Sequence, residues 1–160
     1  VLCYMKFTYS WLKRFLDFDN NITVEEIGNK LTSIGLEIEE IIDRSKEFGG
    51  FTIGSVVNAE PHPNADSLRV CTVEADEKTF QIVCGAPNAR KDIKVVLAKV
   101  GAIVPNGQFK IKESEIRGVK SQGMMCSESE LGLGCESDGI IELPEYVTSH
   151  EEFLQHYGLH

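Results

Sequence analysis

Histidine, tryptophan and paired cysteine are scarce in this chain. Four His, one Trp and five Pro occur in 160 residues, and no two of the five cysteines are spaced C-x-x-C. Without that spacing a structural zinc site has no ligand pattern to rest on. Cys3, Cys71, Cys84, Cys126 and Cys135 are odd in number and scattered through apolar runs. They read as unpaired thiols of a reducing, cytoplasmic compartment. No apolar run approaches the ~18 residues of a bilayer span. With a mean hydropathy of −0.13, that leaves no transmembrane helix and no membrane partner. The opening Val1-Leu2-Cys3-Tyr4-Met5-Lys6 lacks the basic region and long apolar stretch of a secretory signal. Positive charge is short as well. Sixteen Lys and Arg against 25 Asp and Glu leave −9, and the pI is near 4.9, which argues against DNA or any generic polyanion as partner.

The positive charge that exists is concentrated. Between residues 90 and 120 stand Arg90, Lys91, Lys94, Lys99, Lys110, Lys112, Arg117 and Lys120, against only Asp92, Glu113 and Glu115. That stretch carries +5 and the remainder −14. A local basic face on an acidic body can hold phosphates without indiscriminate affinity. Lysines on a solvated strand face would give the same count.

Two textures follow one another along the chain. Phe7, Trp11 and Phe15 recur every four residues beside Leu12 and Leu16, which predicts a helix with one apolar stripe. Thr23-Val24-Glu25-Glu26 predicts a capping box, Ile27, Leu31 and Ile34 share the face behind it, and Gly35 suits a left-handed C-cap. Leu36–Ile42 reads as a strand. These elements are too few for an independent core. From Phe51 onward come short β-rich runs, with strands predicted at Phe51–Ala59, Leu68–Ala75, Phe80–Cys84, Val95–Val100 and Lys110–Lys112, and a later return at Ile140–Leu143. Pro61-His62-Pro63-Asn64 excludes regular structure between the first two, and Asp76-Glu77-Lys78 predicts a hairpin turn. Ser149–Tyr157 resumes helical spacing. The fold class is α+β. It is read as a five-stranded OB-type β-barrel with a small N-terminal helical and strand appendage and a C-terminal helix.

The candidate chemistry is sparse. His62 between two prolines has no carboxylate or nucleophile at a telling spacing, so it reads as a turn residue. Asn64 and Asp66 can hold that loop by bonding nearby amides. Gly85-Ala86-Pro87-Asn88 allows a tight turn but lacks the Lys-Ser/Thr of a phosphate loop. Ser127-Glu128-Ser129-Glu130 offers two carboxylates, yet Ser127 and Glu130 fit a capping box. Cys84 and Cys126 read as inert buried thiols, and Phe51, Phe80 and Phe109 as core. Nothing composes a nucleophile, base and oxyanion hole, so no catalytic residue is assigned. The candidate RNA contacts are Lys110, Lys112, Arg117 and Lys120, which could follow a backbone on an open sheet face.

Three stretches stand apart: His62-Pro63-Asn64-Ala65-Asp66-Ser67-Leu68-Arg69-Val70-Cys71, Ile82-Val83-Cys84-Gly85-Ala86-Pro87-Asn88, and Ser121-Gln122-Gly123-Met124-Met125-Cys126-Ser127-Glu128-Ser129-Glu130-Leu131-Gly132-Leu133. In this order they resemble the tRNA-binding OB domain attached to several aminoacyl-tRNA synthetases and also found free-standing. With Met5-Lys6-Phe7-Thr8-Tyr9-Ser10-Trp11-Leu12 and Ile34-Gly35-Leu36-Glu37-Ile38-Glu39, the chain resembles the N-terminus of the bacterial phenylalanyl-tRNA synthetase β-subunit family. That resemblance implies translation from Met5, with Val1–Tyr4 extraneous. It implies a partial domain over 1–44, a tRNA-binding OB domain over 45–153, and the start of a return segment over 154–160. It also implies tRNA and a synthetase α subunit as partners in a heterotetramer. ATP and Mg2+ would serve the whole ligase, with no cofactor and no catalysis in this stretch. Two rivals stay open: a free-standing, chaperone-like tRNA-binding protein, and an OB module that docks protein subunits.

Overall fold

Local sequence sets the first elements. The Thr23 hydroxyl accepts from the Glu26 amide at 3.2 Å, and the Glu26 carboxylate accepts from the Thr23 amide at 2.8 Å. Both halves of the predicted capping box therefore form at the start of α2 (Val24–Ser33). Gly35 turns left-handed at φ +96°, and the Leu36 amide reaches back to the Leu31 carbonyl at 3.0 Å. Ahead of α2, α1 (Tyr9–Leu12) is a single turn capped by Thr8. Its stripe is present, with Phe7–Trp11 and Trp11–Phe15 ring centroids 6.2 and 4.8 Å apart. The strand expected at Leu36–Ile42 does not form. Glu40 interrupts the apolar face that Leu36, Ile38 and Ile42 would share, and Leu36, Ile41 and Ile42 are exposed with no strand beside them among the described residues.

This computed structural model describes residues 5–19 and 21–159. It divides into two units, Val1–Asp43 and Arg44–His160. The expectation for Val1–Tyr4 and the reading of Cys3 lie outside the described residues.

The second unit is built on a five-stranded antiparallel sheet. β1 (Phe51–His62), β2 (Ala65–Ala75), β3 (Lys78–Cys84) and β4 (Lys94–Lys99) are its long strands. After β4 come two small hairpins, β5 (Ile103–Val104) with β6 (Phe109–Lys110) and β7 (Ser114–Ile116) with β8 (Val119–Ser121). Then β9 (Gly123–Met125) completes the sheet order β3-β2-β1-β4-β9. Asp76 and Glu77, at φ +50° and +60°, make the two-residue turn between β2 and β3. Strand β4 explains its own uninterrupted apolar run. Val95 and Leu97 enter one buried cluster with Val56, Val73 and Ile82, while Val96 and Ala98 enter another with Phe48, Leu131 and Phe153. A strand buried on both faces needs no polar alternation. The second cluster is roofed by α3 (Glu128–Leu131) and α4 (His150–His156), where Phe48 and Phe153 meet edge-on at 5.6 Å.

Three expectations need correction. Regular structure is not excluded at Pro61-His62, because β1 runs through both and the turn is confined to Pro63-Asn64. In its last residues β1 pairs only with β2, so Pro61 needs no amide on its open side. The strand at Lys110–Lys112 is shorter than expected, Phe109–Lys110 alone, although Ile111 is buried between two exposed lysines. The return at Ile140–Leu143 is only a single bridge from Leu143 to Lys94. No ladder joins β3 to β9, so the sheet is not a barrel closed strand to strand. Instead the Gln122 amide donates to the Gln81 carbonyl at 2.8 Å, and the Val83 amide to Ser121 Oγ at 3.1 Å. No helix among the described residues is long and apolar enough to cross a membrane.

Candidate nucleic-acid interface

Of the eight cations between residues 90 and 120, three are tied to acceptors elsewhere in the chain, Arg90 at the surface. Arg90 forks onto Glu142 at 2.6 and 2.7 Å. That pairing holds the Glu142 carboxyl below the usual carboxylate range. Lys94 donates to the carbonyls of Glu145 and of Val147, the latter at 3.2 Å. Lys99 pairs with Asp76 at 3.0 Å, and Asp76 also accepts from the Thr52 hydroxyl at 2.8 Å. The charge count in this stretch therefore overstates the basic surface.

The four proposed RNA contacts all lie outside those ties. Lys110, Lys112, Arg117 and Lys120 are exposed. Lys120 meets Glu113 at 3.6 Å, an exposed pair that costs little to separate. All four belong to the segment that leaves β4 and returns as β9. Lys110 and Lys112 flank one open cleft of about 600 Å³, whose lining includes Ser127. Arg117 occupies the tip of the β7–β8 hairpin with φ +49°, followed by Gly118 at φ +86°.

That tip is clamped from the β1–β2 turn. His62 Nε2 lies 2.9 Å from the Ile116 carbonyl, and the Asn64 amide donates to His62 Nδ1 at 2.9 Å. A carbonyl only accepts, so Nε2 carries the proton and Nδ1 the lone pair. Asn64 Nδ2 donates to the Arg117 carbonyl at 3.0 Å. His62 and Asn64 therefore hold the backbone that presents Arg117, rather than only their own loop. Asp66 does not share this work. It stands exposed on β2, apart from the contacts that hold the hairpin tip.

Asn88 is a second clip. Its Nδ2 donates to the Ile140 carbonyl at 2.8 Å and its Oδ1 accepts from the Ile140 amide at 2.9 Å. Gly139 allows this approach, since a Cβ there would sit 2.6 Å from Asn88 Oδ1. Ser127 caps α3 and forms the predicted capping box with Glu130, while Glu128 accepts from the Tyr157 hydroxyl at 3.4 Å. Burial pushes the Cys71 thiol up to about 11, with Cys84 adding to the effect, and it raises Cys84 and Cys126 as well. These thiols are poor nucleophiles. Among the described residues no three His, Cys, Asp or Glu side chains converge as a metal site. Sequence reasoning missed Gln81 and Gln122, whose side chains help join β3 to the β8–β9 edge. It also placed Phe109 in the core, whereas 45% of that residue is exposed.

Residues 51–151 match the family model described as "Putative tRNA binding domain". The chain is 57% identical over 155 residues to the phenylalanine–tRNA ligase beta subunit of Rickettsia bellii, covering 97% of this chain and 18% of that protein. It is 45% identical over 150 residues to the same subunit of Desulfotalea psychrophila, covering 94% and 18%. The chain thus spans about a fifth of the length of these curated relatives. Among solved structures it is similar to a MetRS related protein from Pyrococcus horikoshii, with a TM-score of 0.48, 22% identity and coverage of 69% of this chain and 95% of that one. Because the family model spans well over half of the sequence, the chain belongs to the tRNA-binding domain family.

Proposed function

We propose that this chain is the tRNA-binding module of a phenylalanine–tRNA ligase β subunit, and that Lys110, Lys112, Arg117 and Lys120 contact tRNA phosphates. The observation that carries this reading is the sorting of the cations. Arg90, Lys94 and Lys99 are tied to acceptors of the fold and Lys91 lies ahead of β4, while these four are the exposed cations on the segment between β4 and β9. An OB-type barrel is the arrangement in which such a segment borders a nucleic-acid face. The sheet order, and the bonds from Gln81 and Val83 to residues 120–122, support that architecture.

In the whole ligase, ATP and Mg2+ would act at a site outside these residues, the α subunit would be the partner chain, and the cytoplasm the compartment. This stretch would contribute binding without catalysis. Residues 1–44 would be a partial domain, completed by chain beyond residue 160, for which 154–160 begins the return. The exposure of Trp11, Phe15, Ile34 and Leu36 supports such a completion.

The test is a tRNA titration at several salt concentrations. The parent should lose affinity as salt rises. Replacing the four residues by Gln should weaken binding to many tRNAs alike and lower the log–log slope by roughly 0.7 to 0.9 per lost contact. Arg69→Gln, outside the segment, should change neither. Unchanged affinity and slope in the quadruple variant would favour a subunit-docking module instead.

A further inference from the structure

The three strand phenylalanines differ in exposure. Phe51 is buried, Phe80 is half-buried against the core, and Phe109 is 45% exposed at the start of β6. Phe109 lines the same cleft as Lys110 and Lys112. Its position there follows from the chain. Ile111 is anchored in the core, and its backbone is held on both sides, its amide donating to Ala102 and its carbonyl accepting from Gly101, each at 2.8 Å. The residues on either side of that anchor are thereby kept exposed. Elsewhere the lining includes Gly85-Ala86-Pro87, Asp138-Gly139 and the half-buried Met124.

We infer that this cleft takes one unpaired nucleotide of an RNA, its base against the Phe109 ring and its phosphates at Lys110 and Lys112. The inference rests on the tRNA-binding reading and deepens it. About 600 Å³ falls within the ~300–1,000 Å³ of small-molecule sites, room enough for a nucleotide. Every base has a π-face, so one exposed phenylalanine serves without reading sequence. Electrostatics orients the guest. The Asp138 carboxylate disfavours phosphate on its part of the lining, whereas the two ammonium groups attract it. The other carboxylate there, Glu130, already accepts from the Ser127 amide and hydroxyl at 2.7 and 2.9 Å. A base stacked inside a duplex cannot enter such a cleft, so the site distinguishes unpaired from paired RNA.

The experiment uses the 160-residue chain with two probes, a short unstructured oligoadenylate and a blunt RNA duplex. Phe109→Ala should weaken oligoadenylate binding by about 5- to 100-fold. It should leave duplex binding and the salt slope unchanged, and Phe109→Trp should restore affinity. Lys110→Gln with Lys112→Gln should weaken both probes and lower both slopes. If Phe109→Ala, folded by amide NMR, binds oligoadenylate as the parent does while the lysine variant weakens both probes, the nucleotide cleft is overturned and the phosphate reading stands. Should the lysine variant change neither probe, or the parent bind neither, the phosphate reading falls and the cleft with it.

Discussion

In the unit ending at Asp43, Gly28 is the only buried residue among those described, although Phe7, Trp11, Phe15, Leu16, Ile34 and Leu36 are large and apolar. In the unit beginning at Arg44, Phe48, Leu97, Leu131, Val147 and Phe153 are shielded from solvent completely. Both units have well-formed local signals, with capping boxes at Thr23, Ser127 and Ser149. Correct caps select where a helix begins, yet each contributes only about 1 kcal/mol. Folding needs the area that a closed core removes from water. The difference between the units is therefore one of burial, and it can be measured.

Hydrogen exchange should separate them most widely. Amides of α1 and α2 should exchange with little protection, because few buried contacts oppose local opening. Amides of β1, β2 and β4 should approach the protection set by global unfolding, about 5–15 kcal/mol for a domain. Equal protection in both units would break the comparison. Side-chain truncation sharpens it. Phe153→Ala removes a ring packed on Phe48 and Tyr157 and should cost about 3–5 kcal/mol in a denaturant melt. Trp11→Ala, at a position 50% exposed, should cost about 1 kcal/mol or less in the same melt.

Acid should act on the second unit through three carboxylates. Lys99 and Thr52 hold Asp76 below its ordinary range, Arg90 and Asn88 hold Glu142, and the Thr148 amide and hydroxyl hold Glu152. Each favours the folded state above the unfolded pKa of about 4, and that contribution is lost as pH falls through the lowered folded values. Urea midpoints should stay level from neutrality down to about pH 5 and drop below about pH 4. Asp76→Asn should flatten part of that drop. A midpoint that ignores acid would remove these contacts from the account of stability.

What the sequence disclosed was local in space. Thr23 with Glu26, Ser127 with Glu130 and the Asp76-Glu77 turn each lie within a few residues of one another, and all three form as expected. The central strands were legible because β-rich runs between turn residues need no knowledge of their partners. What failed depended on distant chain. Whether Pro61 can enter a strand depends on the open side of β1, and whether Leu36–Ile42 becomes one depends on a neighbour. Arg90 and Lys94 looked available until Glu142 and the carbonyls of Glu145 and Val147, about fifty residues later, took them up. The site was legible as residue types. That His62 serves Arg117 through Ile116, 54 residues away, required the fold.

The smallest expected effect bears most directly on function. Arg117 adopts φ +49° in a two-residue hairpin turn, a conformation that costs a side-chain-bearing residue roughly 1–2 kcal/mol. The clamp from His62 and Asn64 holds the carbonyls of Ile116 and Arg117 and not the guanidinium. Arg117→Gly should therefore stabilise the second unit, by roughly 0.5–1 kcal/mol after the greater freedom of glycine in the unfolded chain is counted. The same substitution should weaken tRNA binding and lower the salt slope by roughly 0.7 to 0.9. A thermal melt and a salt titration on one variant thus move in opposite directions. A variant that gains stability and binds tRNA as before would mean that the strained tip serves something other than phosphate. One that loses stability would mean that the Arg117 side chain supports the hairpin.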